Sequence, residues 1–131
     1  MKEFELTEKM LTMGGVFYPT GHAFIMFPDK EKATQVAEEL ESMTDNIMML
    51  TPAVILRQIG KIDGDSEVDL PQVGTEGATL NKFLNLARKG HHALMIAVPS
   101  SEIAEQIMVA VRKTPYSYAQ RYHMLAMEDL E

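Results

Sequence analysis

The chain has 131 residues, 12 Lys+Arg against 19 Asp+Glu, a formal net charge of −7, 46% hydrophobic and 24% charged residues, which fits one globular domain with a core of its own. Cys 0 excludes disulfides, thiolate metal sites and cysteine nucleophiles, and the acidic balance argues against non-specific nucleic-acid binding, which needs cationic surface. No apolar run approaches the roughly 18–20 residues that span a bilayer, and the opening MKEFELTEKM lacks a signal peptide's apolar stretch, so a cytoplasmic protein with no membrane partner is expected.

Residues 1–20 form an N-terminal arm, with a helical turn or two expected over 7–13 and a loop at GGVFYPTG. The first strand is HAFIMF, ended by Pro28 and Asp29. Asp29 can cap a helix over 30–43, where Ala33, Val36, Ala37, Leu40 and Met43 make one apolar stripe. NIMML at 46–50 reads as the second strand. Thr51-Pro52 reads as N-cap and first residue of a short helix carrying Ile55, Leu56 and Ile59. A polar, acidic loop follows over 61–74, then a helix over 77–89 with Leu80, Phe83, Leu84 and Ala87 on one stripe and Gly90 beyond its end. ALMIAV at 93–98 is the third strand; Pro99 ends it, and Ser100 or Ser101 can cap a helix over 101–113. A final strand is expected in the later part of 116–127.

Strand–helix–strand thus occurs twice, at 21–50 and 91–131, around an insertion at 51–90 that holds two helices. This pattern predicts an α+β fold, a ferredoxin-like sandwich, with the four strands in spatial order 4-1-3-2 and helices 30–43 and 101–113 on one face. A doubly wound parallel sheet is the competing arrangement, disfavoured by the polar last strand. Along the first strand Ala23, Ile25 and Phe27 share one face, and His22, Phe24 and Met26 the other. Both faces are apolar, so the second needs either the insertion helix or another copy of the chain. A homodimer is expected on that ground.

No motif names an activity. His22, His92 and His123 are the candidates for acid/base work or metal ligation, and parallel neighbouring strands would bring His22, His91 and His92 to one edge. Adjacent strand residues point to opposite faces, so His91 and His92 do not share a site, and neither HExxH nor H-x-H spacing occurs; no metal is expected. Asp63, Asp65, Glu67 and Asp69 alternate like early EF-hand ligands, but Val68 and Gly74 occupy positions that motif gives to glycine and glutamate. Gly74, Thr75 and Gly77 precede a helix, where free backbone amides can hold an anion. His22 and Phe24 mark the sheet face as a second ligand-contact surface, beside which a small molecule could bind. No cofactor is expected. The 11 methionines fall mainly on expected core elements.

Two resemblances add to this reading. TGHAFIMF at 20–27 resembles the RNP1 box of RNA-recognition-motif domains through Gly21, Ala23, Phe24 and Phe27. Thr20 stands in place of that motif's basic residue and His22 in place of a stacking aromatic, so RNA binding is not expected. The stretches GHAFIMFPDKEKATQVAEELE and GTEGATLNKFLNLARKGHHALMIAVPSS are similar in layout to small bacterial ferredoxin-like proteins of the heat-induced stress-protein group. That resemblance implies a small α+β fold and brings no catalytic motif. Three functional classes follow: a non-enzymatic binding or stress-related accessory protein, a small dimeric enzyme with a histidine acid/base group, and an RNA-binding module. The first leads.

Overall fold

The computed structural model describes residues 2–4, 19–44, 46–59, 75–122 and 127–130. Its strands are β1 (Lys2–Glu3), β2 (His22–Phe27), β3 (Ile47–Leu50), β4 (His92–Ala97), β5 (Tyr118–Tyr122) and β6 (Met127–Asp129). Its helices are α1 (Lys30–Leu40), α2 (Pro52–Val54, continuing as a π-helical turn over Ile55–Ile59), α3 (Thr75–Arg88) and α4 (Ser101–Val111). The expected arm helix at 7–13 and the acidic loop at 61–74 lie outside the described residues.

The α+β class holds. The sheet runs β1-β3-β4-β2-β5-β6. The inner pairs β3–β4, β4–β2 and β2–β5 are antiparallel; the expected order 4-1-3-2 describes these four strands alone and not the six-stranded sheet. The sheet is wider than expected, however. Lys2–Glu3 adds a parallel edge beside β3, and the single last strand expected over 116–127 is instead two, β5 and β6, paired antiparallel. A two-residue strand is too short for sequence periodicity to mark it.

Local chemistry sets most element boundaries. The Asp29 carboxylate accepts from the Lys32 amide at 2.9 Å, Thr51 Oγ1 from Val54 at 3.2 Å and Ser100 Oγ from Ile103 at 3.2 Å, so all three expected caps form. At the end of α3, Gly90 takes φ 92. Its amide donates to Ala87 O at 2.9 Å and the His91 amide to Leu86 O at 3.1 Å, a Schellman pair that turns the chain directly into β4. Gly21, with φ 80, fills the third position of the turn that starts β2, where His22 N donates to Pro19 O at 3.1 Å.

The two sheet faces carry separate cores. Ala23, Ile25 and Phe27 pack with Leu94 and Ile96 beneath α1 and α4. Phe24 and Met26 pack with Ala93 and Met95 beneath Ile55, Ile59 and the Leu80–Phe83–Leu84–Ala87 stripe of α3. The insertion therefore covers the second face. A partner copy is not needed there, which corrects the reason given above for expecting a dimer. The cause is the apolar stripe of α3: left in water it would be as costly as the open sheet face, and docking the two buries both.

Candidate functional site

A partly buried histidine–serine pair lies where β2 ends and β4 and β5 begin. The Schellman turn delivers His91 to this end, and a bond from the Ser117 amide to Met26 O, 2.7 Å, draws in the start of β5. His91 Nδ1 and Ser117 Oγ are hydrogen bonded at 2.6 Å and partly buried. His92 is opposite Phe27 in the register. Strand alternation places it on the α1 side, with Leu94 and Ile96. Its Nδ1 is buried with no hydrogen-bond partner. Burial lowers the His92 pKa from 6.5 and Lys30 acts in the same direction, while the Gly90 backbone and Asp29 oppose them. Burial prevails because removing an imidazolium from water costs more than two weak attractions return. Burial thus favours the neutral imidazole of His92, and the His91–Ser117 pair presents a hydroxyl beside an imidazole.

The histidines do not gather. β2 and β4 are antiparallel, not parallel, with His22 opposite Ala97 and Phe27 opposite His92. His22 and His92 therefore lie at opposite ends of the sheet, roughly 17 Å apart along the strands, and the shared edge considered from the sequence does not form. His22 Nδ1 instead meets Thr20 O at 3.0 Å. His123 lies outside the described residues. Among the described residues, no group of three or more His, Cys, Asp or Glu is placed to hold a metal. Sequence reading missed Ser117 as a partner for His91, because 26 residues separate them and only strand pairing brings them together.

Phe24 is fully buried. Its ring centroid is 4.3 Å from that of Phe83 on α3, and Phe83 is 5.5 Å from Tyr118. Lys82 Nζ lies 4.1 Å above the Tyr118 ring. The surface that an RNP1 strand would offer to bases is therefore filled by the chain's own rings. Lys82 and Arg88 belong to α3 on one face, whereas Arg112 and Lys113 follow α4 on the other, so these four cations do not converge. Thr75 is the first residue of α3, so Thr75 and Gly77 lie within its first turn and do not precede the helix as expected. Gly74 and the side chains at Thr75 and Gly77 lie outside what the structure describes.

A groove of about 340 Å³ runs along the outer side of the two helices, lined by Glu39, Ser42 and Met43 after and at the end of α1 and by Gln106, Val109 and Ala110 of α4. Val109 is 53% exposed and Met43 38%, the exposed large hydrophobics among the described residues. Lys113 bridges to Glu39 at 2.6 Å across one end. Among the described residues, no helix is long and apolar enough to cross a membrane. Comparison with protein-family models, with curated proteins and with solved structures returned no match.

Proposed function

We propose that this chain is a non-enzymatic binding protein, a bacterial, cytoplasmic, stress-related accessory protein that works as a homodimer on a ferredoxin-like sandwich. One observation carries the reading: the chain's own helices pack on both faces of the sheet, and among the described residues Val109 and Met43 beside the α1–α4 groove are the large apolar side chains left in water. A surface of that kind serves association and not chemistry. The two strand–helix–strand units and the antiparallel inner strands support the sandwich assignment. Deletion of the coding sequence, heat challenge and complementation test the proposal. The expected result is lowered survival that is restored by the wild type and by Ser117→Ala, but not by Val109→Glu.

The second reading, a dimeric enzyme with a histidine acid/base group, is supported by the 2.6 Å His91–Ser117 contact. Failure of Ser117→Ala and His91→Ala to complement, with Val109→Glu competent, favours it over the first.

A further inference from the structure

We infer that the exposed stripe of α4 is the surface through which two copies of this chain associate, antiparallel about a two-fold axis passing between Gln106 and Val109. The inference rests on the homodimer reading and supplies its interface. Glu102, Gln106 and Val109 are spaced four and three residues apart on α4 and all are exposed, so they form a single line along the helix, which the exposed Lys113 extends in the turn just past its end. Glu105 and Arg112 flank that line and are joined at 3.0 Å. The charge along the stripe is divided: Glu102 and Glu105 occupy its first half, Arg112 and Lys113 its far end, and Val109 stands between them.

That division identifies the occupant. A helix face that is acidic at one end and basic at the other is complementary to itself when a second copy is laid across it in reverse. Glu102 and Glu105 then meet Lys113 of the partner subunit and Arg112 of the partner subunit, and the reciprocal pairs form by symmetry. A parallel arrangement would oppose like charges. The four charges sum to zero on a chain of net charge −7, so this stripe is a place where two copies approach without their general repulsion. The α1 surface is not equivalent, since its second half carries Glu38, Glu39 and Glu41. Val109 and Met43, both exposed beside the groove, supply the apolar centre. The bridges present within one chain, Arg112–Glu105 and Lys113–Glu39, are solvent-exposed, and exchanging exposed partners of this kind costs little. The contact is built on one helix face with a single exposed apolar residue on α4, so weak, reversible association is expected.

Sedimentation equilibrium over the micromolar range tests this on the full chain. The wild type is expected to approach twice the 14.7 kDa chain mass. Val109→Glu is expected to raise Kd at least about tenfold, equivalent to roughly 1.4 kcal/mol. Glu102→Lys with Glu105→Lys makes the stripe wholly basic, and Arg112→Glu with Lys113→Glu makes it wholly acidic. Each double variant alone is expected to stay monomeric, and an equimolar mixture of the two to form a heterodimer, a result that also shows both variants are folded. A wild-type dimer whose Kd none of these changes moves overturns the α4 interface and leaves the homodimer reading standing. A wild type that stays monomeric overturns both. Double variants that fail to pair when mixed, while each keeps the circular dichroism spectrum of the wild type, overturn the charge-complementary interface.

Discussion

Truncating Phe83 to alanine tests whether the inserted helix is a true core layer. The Phe83 ring is fully buried, its centroid 4.3 Å from Phe24 and 5.5 Å from Tyr118. Removing a buried phenylalanine costs about 3–5 kcal/mol in transfer and cavity terms, and two ring contacts worth about 0.5–1.5 kcal/mol each place this site in the upper half. A loss of about 4 kcal/mol is expected from a total stability of about 5–15 kcal/mol. With a urea dependence of about 2 kcal/mol per molar, the unfolding midpoint falls by about 2 M. Phe83→Leu keeps most of the volume and loses the ring contacts, so about 1–1.5 kcal/mol is expected. Urea titration followed by circular dichroism gives both numbers. Hydrogen exchange adds location: α3 amides and the amides of β2 and β4 should lose protection together, because they share one packed layer. A Phe83→Ala loss below about 1.5 kcal/mol, with strand protection unchanged, would refute the second core.

Three further outcomes follow. Asp29→Ala removes a 2.9 Å bond to the Lys32 amide and a negative charge at the start of α1, so it should cost about 1 kcal/mol, and at least as much as Ser100→Ala at the neutral cap of α4; urea midpoints that do not move would contradict the capping account. Burial holds His92 below its ordinary 6.5, so on acidification the unfolded chain takes up this proton first. Stability is therefore unaffected by His92 above 6.5 and declines as pH falls from there towards the lower folded value; His92→Gln should show a smaller loss between about pH 7.5 and about pH 5.5, and equal losses in the two proteins would rule out His92 as a source. Finally, with Phe24 buried and Lys82 and Arg88 on the opposite face from Arg112 and Lys113, a pool of labelled single-stranded RNAs should show no micromolar binding in about 150 mM salt; binding that weakened on Phe24→Ala would restore the base-stacking role.

The elements legible in the sequence are those whose signals are local. HAFIMF and ALMIAV are short apolar runs punctuated by proline, and the α1, α3 and α4 stripes repeat at helical spacing. Asp29, Thr51, Ser100 and Gly90 each act on amides or carbonyls within a few residues, so their roles can be read from chain order alone. Boundaries shifted by a few residues, as at α1, which ends at Leu40 rather than at 43. Only the tertiary structure decided which body covers the Phe24 face, because an apolar stripe states that it must be buried and not against what. It also decided the distance between His22 and His92, since antiparallel pairing sends the starts of β2 and β4 to opposite ends. The His91–Ser117 contact and the β1 edge have the same origin. Each is fixed by hydrogen bonding between segments far apart in sequence, and the pattern within either segment is unchanged whether or not the other is beside it.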